Sequence, residues 1–392
     1  MVFKPQAFSG PVKVAYVNFI LTRELIGVEK KIRQQARLSP EGFDFFILNR
    51  FVNRDHGRVK FLQLPSRATY RALLFRKFDL IEKTVDLAPY DLVILRYPFA
   101  DGSSMSFTDK YRVVSEHHSD EIPELRSNLL GSSPVQTKLA SLARLVLEYR
   151  YGRAYRKRCR GLIGVTDELR RRELKGLSPS MPSLTAPNGV DVSSIRKTAF
   201  RRLEGKTLNL VFVASKLSPW DGLERLLQSL NRYRGDLRID LHLVGDMNPG
   251  EIRTGKTSCK FHGINEGEAL DRIFSQMHLG VSTLGLYVKK LREASSLKTR
   301  EYTARGIPFM LAYDDTDLKG VNPDASFFLK FPNRKGPIDM ERVIRFVRRI
   351  HERYPHPSDL SDAMRRHAFE HMDWKPKMAR YERFCRQILT GL

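Results

Sequence analysis

Short apolar runs recur along the first half of the chain, separated by stretches in which apolar and polar positions alternate with helical spacing. The runs cover residues 12–21, 43–48, 59–64, 91–97, 112–115 and 161–165. They are rich in β-branched and aromatic side chains and mostly do not alternate, as expected of strands covered on both faces. With amphipathic segments between them, they predict β–α–β units and a parallel sheet. The pattern then restarts. Strands are predicted at 208–214, 239–244, 279–284 and 308–313, with a short strand end at 261–263. Helices are predicted at 220–233, opened by Ser218-Pro219, and at 266–277, and helical patterns continue to the C-terminus.

Two such series predict an α/β fold of two Rossmann-like domains facing a cleft. The boundary falls in Thr185-Ala-Pro-Asn-Gly-Val-Asp191 and the basic link to about Lys206. The expected division is 1–196, 206–370, and a terminal helix at 374–392 that crosses back to the first domain. In doubly wound sheets, ligands bind outside the carboxyl ends of the strands, so the loops after each strand are where chemistry is sought.

Composition sharpens this picture. The chain has 392 residues, 41% of them hydrophobic, enough for two ordinary cores. Its 68 Lys and Arg against 44 Asp and Glu leave a net charge of +24, which attracts polyanions. Cys159, Cys259 and Cys385 are far apart in sequence, which argues against a disulfide framework or a cysteine zinc site and for a reducing, cytoplasmic setting. Residues 1–13 lack the apolar core of a signal peptide, and no run is long enough to predict a spanning helix.

The most informative segment is Gly285 to Pro308, which lies between two predicted strands. Ser295 and Ser296 are N-cap candidates for a helix that Gly306 would stop. The start of that helix, with Lys298 beside it, suits a phosphate. Glu293 and Glu301 are eight residues apart. On one helix their backbones would be separated by roughly 12 Å. That is wide for a glycosidase pair, whose carboxylates stand about 5 to 9.5 Å apart, and better suited to a longer ligand.

Glu293 to Glu301 resembles the Glu-x7-Glu motif of family 4 retaining glycosyltransferases of the GT-B fold. The likeness extends to Phe212–Leu223, Leu243-Val-Gly-Asp246, Phe261-His-Gly263, Asn188-Gly-Val-Asp191, Leu95-Arg-Tyr-Pro98 and Glu116-His-His118, in the family's order. The resemblance implies a nucleoside diphosphate sugar as donor, with no cofactor and no essential metal. Glu301 would bind the ribose, Glu293 the donor sugar, and the backbone of Ser296, Leu297 and Lys298 the diphosphate. Lys216 would stand where the family places a phosphate-binding Arg, and His118 would contact the transferred sugar. The chain departs from the family at Asp221, where many members carry a lysine that helps to hold phosphate. The mechanism implied is a same-face substitution in which the leaving phosphate takes the acceptor proton.

Arg23, Glu24 and Gly27 follow the first strand and could face the acceptor or the leaving phosphate; a plain helix start accounts for them equally well. His117, His118, Asp120 and Glu121 are close in sequence but lack the spacing of a helical metal site. Asp314-Asp315-x-Asp317 resembles a calcium loop only weakly. Lys138 to Arg160 reads as a basic amphipathic helix with interleaved tyrosines. It suits an anionic membrane surface, and hence peripheral attachment at the inner face, as well as a solvated surface. The acceptor expected from the resemblance is a glycan or lipid-linked precursor of a surface polysaccharide. Other readings are a nucleotide-sugar 2-epimerase on the same fold, an inactive relative, and a nonenzymatic nucleic-acid-binding protein. Nucleic acid is the less favoured partner.

Overall fold

A computed structural model of the chain describes residues 10–20, 26–49, 57–64, 70–130, 134–247, 257–322 and 327–391. The chain divides into two compact units. The first takes residues up to 23, Glu29–Pro187 and Trp374–Leu392; the second takes 24–28 and Asn188–Asp373.

The first unit is built on strands β1 (Val14–Phe19), β2 (Phe43–Asn49), β3 (Val59–Gln63), β4 (Leu92–Arg96), β5 (Val113–His117), β6 (Gly161–Gly164) and β7 (Ser183–Thr185). They pair in the order β3-β2-β1-β4-β5-β6-β7, parallel throughout. The order reverses between β1 and β4, as in a Rossmann sheet. β1, β4 and β5 are buried almost along their whole lengths, which explains their non-alternating sequences. β7 escaped the sequence reading because its three residues are half-exposed and carry no apolar run.

The second unit contains β8 (Thr207–Lys216), β9 (Arg238–Asp246), β10 (Thr257–Phe261), β11 (Leu279–Val281), β12 (Glu293–Ala294), β13 (Phe309–Leu311), β14 (Asp314–Asp315) and β15 (Phe328–Lys330). Its main sheet has the order β10-β9-β8-β11-β13-β15, again all parallel, with the reversal between β8 and β11. β12 and β14 form a separate parallel pair. The expected helix at 220–233 begins later. Pro219–Asp221 form a 3-10 turn, Gly222 adopts φ 80°, and the helix runs over Leu223–Arg232. That helix buries Leu223, Leu226 and Leu230 on the sheet.

The terminal helix, Trp374–Thr390, belongs to the first unit. Trp374, Met378, Tyr381 and Cys385 are buried at helical spacing. It packs so closely on β6 that a Cβ on Gly161 would stand 2.8 Å from Ile388 Cδ1. The basic stretch forms a helix over Val135–Leu147, a π turn at Glu148–Gly152 and a further helix over Arg153–Arg158. Among the described residues, no helix is long and apolar enough to cross a membrane.

Candidate functional site

In the second unit, chemistry-bearing residues gather at the carboxyl ends of β8 and β11, where the strand order reverses. β8 ends at Lys216, which is exposed. Ser218 then caps the 3-10 turn, and Asp221 completes a capping box by accepting from the Ser218 backbone N–H at 2.9 Å. Gly222 closes the turn against the next loop; a Cβ there would lie 2.6 Å from the Gly285 nitrogen. The two loops are tied by Leu284 N–H donating to Asp221 O and Gly285 N–H to Trp220 O. Lys289 Nζ stands 3.7 Å from the centroid of the Trp220 ring. Buried Arg225 fastens the floor by donating to the carbonyls of Leu284, Pro332 and Gly336.

The helix Leu297–Arg305 opens beside these loops, with Ser296 at its N-cap. The Ser296 side chain makes no capping bond, so its hydroxyl does not satisfy the first-turn amides of this helix. Lys298 lies over Phe212, 4.5 Å from the ring centroid, and its Nζ donates to Asp221 Oδ1 at 2.6 Å. Asp221 is thus an anchor for the lysine and a cap for the turn. Glu301 accepts from Arg305 one turn on, at 3.0 Å, and Arg305 is also paired with Asp271. Glu293 is not on this helix. It lies in β12, opposite Asp314, and accepts from Lys319 at 2.9 Å. The helical spacing of roughly 12 Å considered for the two glutamates therefore does not apply. Glu293 also lines a pocket of about 320 Å³ with Tyr313, Asp315, Lys319 and Phe328.

Two residues whose positioning roles the sequence did not disclose hold this helix start. Asn188 donates from its backbone to Ser295 Oγ at 2.7 Å and from its side chain to Ser295 O at 2.6 Å. Arg300 is fully buried and donates to Asp315 and Asp317 at 2.5 Å each, and to Asn188 O at 3.0 Å. The acidic run that faintly resembled a calcium loop thus supplies the counter-ions of Arg300. An arginine in mid-helix and an acidic turn each look solvated in sequence. Only their pairing reveals them.

In the first unit, His118 lies one residue beyond β5. Its Nε2 is 3.0 Å from Glu116 Oε1 and 3.4 Å from Lys31 Nζ. Glu116 is fully buried and also accepts from Tyr16 and, at 2.9 Å, from Tyr381 of the terminal helix. Burial alone would raise the Glu116 carboxyl. In the acid range where this carboxyl titrates, charge at His118 and Lys31, with hydrogen bonds from His118 and Tyr16, outweighs burial and holds it below the usual range. Burial, helped by Lys31 and Arg96, lowers His118 to about 3, so the imidazole takes up charge only in that acid range. Burial likewise lowers Lys31 to about 7. Arg23 and Glu24 lie outside the described residues. Gly27 is in the first turn of the helix Ile26–Arg37, and a Cβ there would lie 3.9 Å from Leu297 Cδ1 within the second unit.

A different cluster in the first unit joins His117, Glu121 and Glu173, the grouping that could hold a metal ion among the described residues. Burial pushes the Glu121 carboxyl up to about 7. Sequence spacing put His117 and Glu121 near one another but could not supply Glu173.

No protein-family model matches the chain, and no curated protein matches it in sequence. Solved structures do match in fold. Sucrose-phosphate synthase from Thermosynechococcus elongatus superposes with a TM-score of 0.64 at 15% identity, over 97% of this chain and 100% of that one. A glycosyltransferase from Rickettsia africae gives 0.64 at 11% identity, over 97% and 98%. HepE from Anabaena, in complex with UDP and glucose, gives 0.62 at 12% identity, over 95% and 99%. Each similarity spans both parallel sheets, and the chain has the two-domain Rossmann-like GT-B fold of these enzymes.

Proposed function

We propose that the chain is a retaining glycosyltransferase that moves a sugar from a nucleoside diphosphate sugar to an acceptor hydroxyl. One observation carries the reading. The start of the helix Leu297–Arg305, with Lys298, opens at the strand-order reversal of the second sheet, flanked by Glu293 before it and Glu301 within it. The first-turn amides and Lys298 suit a diphosphate. Glu301 is four residues into the helix, about 6 Å along its axis, which suits the adjoining ribose. Glu293, on its own short strand, is the carboxylate for the sugar. HepE, a structure of the same fold, is described in complexes with UDP and UDP-glucose, which supports this class of donor.

In the proposed reaction the bond from the anomeric carbon to the diphosphate oxygen breaks as the bond to the acceptor oxygen forms on the same face. The acceptor proton passes to the departing phosphate. Lys298 and the helix-start amides, joined by Lys216, stabilise the charge that develops there. The acceptor proposed is a glycan or lipid-linked precursor at an anionic membrane surface. On the helix Val135–Leu147, Leu139, Leu142 and Val146 are 62%, 49% and 60% exposed, and Tyr149 just beyond is 58% exposed. Such an apolar stripe beside Lys138, Arg144 and Arg150 suits insertion between charged headgroups.

The test is thermal stabilisation by a panel of nucleoside diphosphates and their sugars, on the native chain and on Glu301→Ala. One nucleotide sugar should raise the native melting temperature, with the gain lost in the variant. No stabilisation by any of them, with anionic lipid or nucleic acid bound equally by both proteins, would reject the enzyme reading.

A further inference from the structure

Three side chains from three elements converge within the first unit. His117 is the last residue of β5, Glu121 the first residue of the helix Glu121–Leu130, and Glu173 lies in the helix Asp167–Leu174. His117 Nδ1 is 3.8 Å from Glu121 Oε2 and 3.7 Å from Glu173 Oε2. The imidazole is fully buried, and its Nδ1 has no hydrogen-bond partner. Its other nitrogen, Nε2, is 3.0 Å from Ser115 Oγ. The Tyr97 ring packs on the imidazole with centroids 4.6 Å apart, which fixes its plane.

A buried imidazole nitrogen facing two carboxylates needs positive charge between them. A proton on Nδ1 is the simplest source. A good N–H···O bond to a carboxylate spans about 2.7–2.9 Å, and both contacts are nearly an ångström longer. Ligand atoms arranged tetrahedrally around zinc at about 2.1 Å stand about 3.4 Å apart, close to the separations seen. The surroundings agree. Arg156 donates to Glu148 at 2.7 Å and stands 3.4 Å from Glu173, and Tyr97 O–H donates to Glu148 at 2.5 Å. Arg156 thus pairs with two carboxylates, Glu148 and Glu173, and Glu121 adds a third beside His117. A divalent cation would balance these groups with a neutral imidazole. Ser115 and Arg156 then act as outer partners, orienting the ring and one carboxylate.

We infer that His117, Glu121 and Glu173 form a binding site for a divalent transition-metal cation of the zinc class. The site pins the carboxyl end of β5 to two helices of the first unit. Its role is to hold those elements together.

The experiment uses the full chain, stripped with a chelator and then titrated with zinc chloride. Equilibrium dialysis gives stoichiometry, and melting temperature gives the stabilisation. The native chain should bind about one zinc ion and melt at higher temperature when loaded. Glu121→Gln and Glu173→Gln keep side-chain shape and should each weaken binding at least about tenfold. Circular dichroism verifies that both are folded, and Glu173, at the rim, is the safer of the two. If the stripped native chain takes up no zinc, the cluster is held by a proton and the inference fails. If the double variant binds zinc as the native chain does, the ion sits elsewhere, for instance at the stacked His242 and His262, and the inference fails equally. Nucleotide-sugar binding is read separately, so either proposal can fall without the other.

Discussion

Lys298 Nζ and Asp221 Oδ1 are joined across 2.6 Å, between the first turn of one helix and a capped 3-10 turn from a different strand end. The departure at Asp221 therefore does not put a bare carboxylate where a phosphate would lie. It aims Lys298 and fixes the loop. Diphosphate binding would have the lysine shared between the two anions. Asp221→Asn keeps an oxygen for the Ser218 N–H while releasing the lysine from a charged partner. The variant should bind nucleoside diphosphate as tightly as the native chain or a few-fold more tightly. Lys298→Ala should lose about tenfold to a hundredfold, the value of one hydrogen bond from a charged group, about 1.5–3 kcal/mol. Isothermal titration of the two variants checks this; unchanged affinity in Lys298→Ala would remove that lysine from the site.

Arg300 is the largest fully buried charged side chain among the described residues of the second unit, and its partners Asp315 and Asp317 come from β14 and the turn that follows it. Removing the guanidinium leaves two buried or half-buried carboxylates without their cation. Arg300→Ala should therefore cost about 3–5 kcal/mol. It should also loosen the Asn188–Ser295 contact and weaken donor binding. Denaturant midpoints, compared with those of Lys298→Ala, provide the check. A near-native midpoint would show that the pairing is dispensable.

His278 provides the pH dependence. Its Nδ1 accepts from the Asn209 N–H at 2.9 Å, and its Nε2 is 3.2 Å from Arg202 O. A second proton would have to displace the Asn209 bond. Burial, with charge at Arg201 and His351, lowers the imidazole from 6.5 to about 4, against the opposing Arg202 hydrogen bond. The folded state thus binds fewer protons than the unfolded chain between these values. The stability linked to this group is complete above pH 6.5 and is lost as pH falls toward about 4. One proton gives a slope of at most about 1.4 kcal/mol per pH unit. Melting curves should show a shallower acid slope for His278→Gln than for the native chain; identical slopes would contradict the assignment.

The exposed stripe on the helix Val135–Leu147 predicts binding to anionic vesicles. Leu139 and Val146 are exposed, so Leu139→Glu with Val146→Glu should leave the melting temperature nearly unchanged. Vesicle sedimentation should show at least about a tenfold loss of binding in the variant, and native binding should weaken as salt rises. Equal binding by both proteins would assign the helix to solvent.

The apolar pattern along the chain was enough to foresee both parallel sheets. β1, β4, β5 and β9 are buried along most of their lengths and β8 at its centre, and that condition writes itself into local sequence as apolar-rich segments without strict alternation. The helix carrying Glu301 was likewise legible, because Gly306 ends it through its own left-handed conformation, and Ser296 takes the N-cap position although its side chain makes no cap bond. Short edges were not: β7, β12, β14 and β15 have two or three residues each and depend on a partner strand for their existence. Polar pairings were beyond reach for a related reason. Asp221 with Lys298, Arg300 with Asp315, and His117 with Glu173 join positions on different elements. A charged residue has the same local signature whether it is solvated or buried against a counter-ion. Local propensity decided the elements, and tertiary packing decided which charges were taken out of water and therefore had to meet.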